Sequence, residues 1–168
     1  MEFRLPDEND EELLKEYVQE HLDKGEQGIS ASMGLQGMPY SEWMNKIRSA
    51  AEIGDGEWGK YLVLLCFEGD RLAGLLNIRY NLSKELSDMY GDVGYGVRPS
   101  ERNKGYAAQM LRYAVSVCKE KGMSSVRLGC YKDNVASVSV IKKCNGVQVS
   151  EIEDKESGDI SLYFTIET

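Results

Sequence analysis

The sequence is poor in the residues that build metal centres and covalent cross-links. It has one histidine, His21, and its four cysteines are far apart and form no C-x-x-C pair. A zinc site needs several Cys or His ligands at short spacing, and a disulfide framework needs a high density of cysteines. Neither a metal site nor a disulfide-stabilised fold is therefore expected.

The chain also lacks a long hydrophobic segment. Its longest apolar run, Tyr61–Phe67, is far shorter than a membrane span, which needs about 20 apolar residues. The N-terminus is acidic and has neither the basic nor the apolar region of a signal peptide. These absences predict a cytoplasmic protein without a membrane partner.

An excess of positive charge is missing as well. The chain has 20 Lys and Arg against 28 Asp and Glu, which gives a formal net charge of -8. Such a surface repels nucleic acid and attracts cations, so no nucleic-acid partner is expected and an amine substrate is compatible. The length and the mixture of apolar and charged residues are typical of one globular domain, here residues 1–168.

The positive charge that is present gathers at one turn. An alternating apolar stretch ends near Pro99 and a helical pattern begins at Gly105, with Arg98, Arg102 and Lys104 around the turn. The first amides of a helix lack intrahelical partners and carry the positive end of its dipole. The turn therefore predicts an anion site, with an ordinary connection that carries solvated cations as the alternative.

Several motifs of this sequence resemble one enzyme family. Arg102–Ala107 resembles the R/Q-x-x-G-x-G/A signature of the GNAT N-acetyltransferase superfamily, and Asp133–Ser137 resembles its N-x-A-S helix. Asn77–Leu82 and Gly91–Tyr95 are similar to a bacterial branch of predicted acetyltransferases whose substrates are unassigned. The likeness is close over residues 61–146.

The resemblance implies a site for acetyl-CoA as co-substrate. The backbone amides after Arg102 would hold the pyrophosphate, nearby cations would add charge, and the backbone of Val97 would pair with pantetheine and polarise the thioester carbonyl. Asn134 would hydrogen-bond the pantetheine arm, with a role as helix cap as the alternative. The candidate cofactor-binding residues are Val97, Arg98, Arg102, Asn103, Lys104, Gly105, Tyr106, Ala107, Asn134 and Ser137.

The order of the predicted elements, β-α-α-β-β-β-α-β-α-β-β, indicates an α+β fold: a GNAT-like mixed, largely antiparallel sheet with helices on both faces. Asn9 and Glu12 are expected to form a capping box at the first helix, and Ser41 to cap the second. A polar connection is expected at Asn81–Met89, before a strand at Tyr90–Val97. A Rossmann fold is disfavoured because the turn has only one of the glycines that its fingerprint requires.

The sequence indicates the catalytic residues less clearly than the acetyl-CoA site. Many family members have a tyrosine that protonates the thiolate where this chain has Ile141, so Tyr131 is the candidate acid, with Tyr95 and solvent as alternatives. Asp92 lies on the predicted fourth strand, near the position where family members place a carboxylate base; the alternative is a solvated or turn-bonded carboxylate. His21 lies on or beside an apolar helix stripe, where a structural role competes with a catalytic one.

Two functions of different class follow. The first is an acetyl-CoA-dependent N-acetyltransferase in which an amine attacks the donor directly in a ternary complex. The second is a noncatalytic acyl-CoA-binding or regulatory module of the same fold. The acceptor, a small molecule or a protein terminus, is expected to bind under the loop Gly25–Pro39; the sequence leaves a monomer and a homodimer open.

The direct mechanism excludes an acetylated enzyme, which a route through Cys130 would require. We expect mass spectrometry after incubation with acetyl-CoA alone to show no stable adduct, and Cys130→Ala to keep most of the activity. An acetylated Cys130 together with loss of turnover in the Ala variant would establish the covalent route instead.

Overall fold

The α-helices and strands of the structure follow one another in the predicted order, with one helix more than predicted. The computed structural model describes residues 1–56, 59–80 and 82–168. The strands are β1 (Glu2–Arg4), β2 (Lys60–Glu68), β3 (Arg71–Tyr80), β4 (Val93–Val97), β5 (Ser125–Tyr131), β6 (Val147–Glu153) and β7 (Ile160–Glu167). The helices are α1 (Glu11–Asp23), α2 (Tyr40–Glu52), α3 (Lys84–Tyr90), α4 (Tyr106–Glu120) and α5 (Val135–Lys143).

These strands form two antiparallel sheets. One has four strands in the order β1-β2-β3-β4, and the other has three in the order β5-β7-β6. A hairpin turn at Gly69 and Asp70 joins β2 to β3. In the described part of the chain no ladder connects β4 to β5, although their N-terminal ends touch. The α+β fold is thereby confirmed, with its sheet divided between these two strands.

The helices cover both faces of the four-stranded sheet. Helices α1 and α2 bury Leu14, Tyr17 and Trp43 against one face. Helices α4 and α5 pack on the opposite face, where Met110 and Leu111 are fully buried. Because β2 and β3 are enclosed on both sides, their sequences are apolar almost without alternation.

The sequence did not indicate helix α3. It lies in the predicted polar connection, is only seven residues long and buries none of its residues, so hydrophobic periodicity gave little signal. Its first turn is held by Ser83, whose Oγ accepts a hydrogen bond from Leu86 N–H at 3.2 Å. At its end Gly91 has φ of 72° and donates its N–H to Ser87 O, so β4 begins at Val93 and not at Tyr90. Asn81, the first residue of the predicted connection, lies outside the described residues.

The predicted helix caps were also wrong in detail. Helix α1 follows Asp10, and the side chain of Asp10 binds both guanidinium nitrogens of Arg4, at 2.7 and 2.6 Å, instead of capping the helix. Helix α2 follows Pro39, which leaves Ser41 inside the first turn. None of the helices in residues 1–56, 59–80 and 82–168 combines the length and the apolar character that a bilayer span requires.

Strand β6 forms an open edge of the three-stranded sheet. It pairs with β7 on one side, and all its residues are exposed. Its apolar side chains Val147, Val149 and Ile152 are each at least half exposed. The outer edge of β6 therefore presents backbone groups without a neighbouring strand in the described structure.

Candidate active site

A cleft of about 1100 Å³ lies where β4 and β5 separate. Its walls come from Val93–Val97 of β4 and Leu128–Tyr131 of β5. The first residues of α4 and α5 border it on one side, and the end of α1 with the following loop borders it on the other. The cleft thus reaches both faces of the four-stranded sheet through the gap between the strands.

The two strands are joined at the closed end of this cleft by Asp92. Its backbone N–H donates to Arg127 O at 2.8 Å, and its Oδ2 accepts from Arg127 N–H at 2.7 Å. Its Oδ1 accepts from Ser87 Oγ at 2.7 Å, and the side chain is buried. Gly91 fits closely here, because a Cβ at this position would lie 3.0 Å from Arg127 O.

These contacts argue against the role of general base that was predicted for Asp92. Both carboxylate oxygens are engaged in structural hydrogen bonds, and Asp92 is not among the described residues that line the cleft. A general base must come within hydrogen-bond reach of the substrate proton, directly or through one water. The geometry therefore favours the alternative considered for Asp92, a carboxylate bonded to neighbouring backbone and side-chain groups.

The turn before α4 has the backbone geometry of an anion site. Asn103 and Gly105 have positive φ, 63° and 83°, and α4 begins at Tyr106. The N–H groups of residues 103–107 donate to no acceptor in the described part of the chain. Because these groups are unpaired at a helix N-terminus beside the cleft, they are available to an anionic ligand.

The cations predicted to reinforce this turn are each paired with an acid. Arg102 donates to Glu26 through two nitrogens, at 2.6 and 2.7 Å, and Lys104 donates to Glu101 at 2.9 Å. Of the described residues, Arg102 lines the cleft and Lys104 does not. The backbone N–H groups of the turn are therefore free to bind an anion, whereas its cationic side chains already bind carboxylates.

Arg98 points away from the predicted phosphate position. It is buried, its Nε donates to Glu20 of α1, and it does not belong to the described cleft lining. Arg98 follows the end of β4 and lies on the α1 side of the sheet, where its ion pair with Glu20 links the strand to that helix. The direct charge contribution predicted for Arg98 is therefore not supported by this arrangement.

The α5 side of the cleft holds a tyrosine and serine pair. Tyr95 Oη and Ser137 Oγ are 2.9 Å apart and link β4 to α5. Burial raises the pKa of Tyr95 to about 12, so its phenol is protonated at neutral pH. Ile141, one turn after Ser137, lines the same wall and is fully buried.

The other predicted residues of this wall are also at the cleft. Tyr131 lines it at the end of β5 with 58% of its surface exposed, and its hydroxyl makes no hydrogen bond within the described residues. Asn134 lines the cleft too, and its Oδ1 accepts from Ser137 N–H at 3.0 Å, which is the helix-cap role considered for it. Cys130 lies beside them, and burial raises the pKa of its thiol.

Glu26 was not among the residues predicted for the site, and the structure places it in the opposite wall of the cleft. Glu26 Oε2 lies 2.7 Å from Nδ1 of His21, and both residues line the cleft. Arg102 holds the pKa of Glu26 at about 2. No local pattern marks Glu26, because its partner Arg102 is 76 residues away in the chain. Within the described residues, no group of three or more His, Cys, Asp or Glu side chains could hold a metal ion.

Comparison with known proteins identifies the family. The sequence profile of the Acetyltransferase (GNAT) family matches residues 34–146, more than half of the chain. The chain belongs to the GNAT acetyltransferase family. No curated protein matches the sequence significantly.

Solved structures resemble the whole of this GNAT protein. Salmonella typhimurium yncA, solved with its cofactor acetyl-CoA, is 14% identical with a TM-score of 0.71, covering 99% of this chain and 92% of that one. RimL, a ribosomal L7/L12 alpha-N-protein acetyltransferase solved with coenzyme A, is 18% identical with a TM-score of 0.73, covering 98% and 92%. A GNAT acetyltransferase from Streptococcus pneumoniae is 17% identical with a TM-score of 0.72, covering 99% of both chains. At these identities the likeness establishes the fold.

For this GNAT protein the contacts of Asp92 predict a loss of stability when the carboxylate is removed. Asp92→Ala leaves the buried Arg127 N–H without its acceptor, so we expect the free energy of unfolding in a urea titration to fall by about 1–3 kcal/mol. Asp92→Asn keeps a carbonyl acceptor and is the matched control, expected to stay near the parent in stability and activity. A loss of roughly 10²-fold in the kcat of Asp92→Asn, with stability unchanged, would restore the role of Asp92 as base.

Proposed function

We propose that the protein is an acetyl-CoA-dependent N-acetyltransferase that transfers the acetyl group to an amine by direct attack in a ternary complex. The observation that carries this proposal is the cleft between the separated strands β4 and β5, bordered by unpaired backbone amides at the start of α4. An extended thioester fits such a gap while its phosphates bind the helix N-terminus. The family membership and the ligands of yncA and RimL support the same donor.

Strand β4 would hold the pantetheine arm through its backbone. Alternate residues of an antiparallel strand direct their N–H and C=O groups to opposite edges. Arg98 N–H bonds to Ala73 O on the β3 side, so Tyr95 and Val97 direct their backbone groups toward the gap. A pantetheine amide could pair with Val97 there, and an N–H group at this edge could polarise the thioester carbonyl.

The pyrophosphate would bind at residues 103–107. Gly105 is suited to this contact because its φ of 83° is accessible to glycine and nothing within 4 Å crowds the position of a Cβ. Arg102 would add charge once its guanidinium is shared between Glu26 and the phosphates. Lys104 would contribute through the longer-range field of the turn.

In the chemical step the amine nitrogen attacks the thioester carbon, a C–N bond forms and the C–S bond breaks. The amine gives up one proton and the departing thiolate takes one. The Tyr95 hydroxyl, held by Ser137, is the donor best placed to hydrogen-bond the sulfur, because it is protonated and spans the cleft. Tyr131 is the second candidate, from the exposed end of β5.

The acceptor would be a primary amine of a small molecule or a protein terminus. RimL acts on a protein alpha-amine, and a cleft that is open on the α1 side could admit either kind of acceptor. The loop Gly25–Pro39 forms part of that side, with Gly28 and Ser30 in the lining. The net charge of -8 favours cationic acceptors.

Ile141 gives a specific reason to keep a noncatalytic acyl-CoA-binding module as the second candidate, since no acid stands at that position of α5. A screen of alkylamines, amino-acid amides and N-terminal peptides with a free-thiol readout separates the two functions. Acceptor-dependent release of coenzyme A supports the enzyme. Coenzyme A binding without turnover in the whole screen supports the module.

The donor site predicts the behaviour of Gly105→Glu. A carboxylate at this turn places bulk and negative charge where the pyrophosphate must bind, so calorimetry should detect no binding of coenzyme A. Gly105→Ala is the matched control: it carries the same positive-φ strain without the charge and should bind within about tenfold of the parent. Equal affinity in a folded Gly105→Glu variant would show that the pyrophosphate binds elsewhere.

The tyrosine pair predicts a difference between two conservative variants. Tyr95→Phe removes the hydrogen bond to the departing sulfur, which is worth about 10-fold or more in kcat, while leaving the affinity for coenzyme A nearly unchanged. Tyr131→Phe should change kcat by less than about threefold. The reverse order of effects, measured at saturating acetyl-CoA, would assign the role to Tyr131.

A further inference from the structure

The only histidine of the chain lies in the wall of the cleft with one ring nitrogen unused. His21 is 2% exposed, and its Nε2 is buried without a hydrogen-bond partner in the described residues. Buried polar atoms are nearly always paired with protein or water, so an unpaired ring nitrogen in a residue that lines a cleft is a candidate catalytic group. His21 shares this cleft with Val97 and with the turn at residues 103–107.

The neighbours of His21 fix its tautomer. Nδ1 lies 2.7 Å from Oε2 of Glu26, and Arg102 binds the same carboxylate through both its terminal nitrogens. With its pKa held at about 2, Glu26 is ionised at neutral pH and can only accept a hydrogen bond. Nδ1 of neutral His21 therefore carries the proton, and Nε2 has a free lone pair directed away from Glu26.

His21 also lies on the side of β4 from which an acceptor would come. Tyr95 points to α5, so the alternation of the strand directs Gly94 and Gly96 to the α1 side. Tyr17 connects His21 to this face, since its ring centroid lies 4.6 Å from that of His21 and its hydroxyl donates to Gly96 O at 3.2 Å. The imidazole is thus separated from β4 by one side chain, opposite the wall that would hold the donor.

We propose that His21 accepts the proton of the attacking amine through Nε2, directly or through one water molecule. The inference rests on the acetyl transfer proposed above and assigns the base that Asp92 is not placed to provide. An acceptor ammonium ion loses one N–H proton to Nε2, and the resulting imidazolium is held by the Glu26 carboxylate. The neutral amine then attacks, its nitrogen loses a second proton to the departing thiolate as the C–S bond breaks, and the imidazolium returns its proton to solvent after the product leaves. The charged and titratable groups around the ring are Glu26, Arg102 behind it, and Tyr17.

The kinetic test compares His21→Gln with the parent on two acceptors taken from the amine screen. A lysine-type amine with a pKa near 10 is an ammonium ion at pH 8, whereas an amino-acid amide with a pKa near 8 is about half neutral. We expect His21→Gln to lower kcat/KM for the first by roughly 10²-fold or more, and for the second by a clearly smaller factor. A structural role would lower both equally. The controls are the thermal midpoint and the affinity for coenzyme A, both expected to stay near the parent values.

A second measurement needs no variant. Because the chain has one histidine, ¹⁵N-labelling of histidine gives the imidazole signals of a single ring, from which the tautomer is read at pH 8. A protonated Nδ1 with a pyridine-type Nε2 supports the proposal, and the opposite tautomer overturns it. Full activity of His21→Gln on the lysine-type amine also overturns it while leaving the acetyl transfer intact. Absence of turnover in the parent with every amine of the screen contradicts the proposed function and this inference together.

Discussion

The contact between Asp92 and Arg127 is the constraint on which the architecture of the cleft depends. It joins two sheets that otherwise share no ladder in the described residues, and it does so at one end of β4 and β5. Helix α4, which packs against both β4 and β5, holds the two strands together along the rest of their length. If β4 and β5 were hydrogen-bonded along their whole length, no gap would separate them. Asp92 therefore contributes to the shape of the site through hydrogen bonds that engage both of its carboxylate oxygens.

A second constraint acts on the electrostatics of the site: the cations near the turn before α4 are paired with carboxylates. Arg98, Arg102 and Lys104 are each bound to a glutamate, so an acidic chain keeps a cationic turn without leaving buried charges unpaired. Among the described groups of the cleft, the backbone amides before α4 and Nε2 of His21 are neutral and make no hydrogen bond. A ligand can therefore be recognised without the loss of an existing ion pair.

Local patterns were sufficient for the turn before α4 and for the helices that follow it, but not for the partners of Arg98 and Lys104. The turn at Arg102–Ala107, the buried face of α4 and the cap at Asn134 involve residues close in sequence, and the structure shows the turn, the helix and the cap where they were expected. Helix α3 was missed because it is short and buries none of its residues. The roles of Asp92 and Glu26 could not be read from the sequence, because the hydrogen bonds that define them join residues 35 and 76 positions apart.

The exposed strand β6 has a consequence for how the protein behaves at high concentration. An uncovered strand edge is a template for pairing with another chain, and natural proteins oppose such association with charge as well as with coverage. In the described residues no strand covers the outer edge of β6; Glu151, which pairs with Lys132, and Glu153 lie on the strand beside its exposed apolar side chains. Stacking two such edges would bring these carboxylates together. We therefore expect association through this edge to depend on ionisation, and conditions that neutralise or screen the carboxylates to favour it.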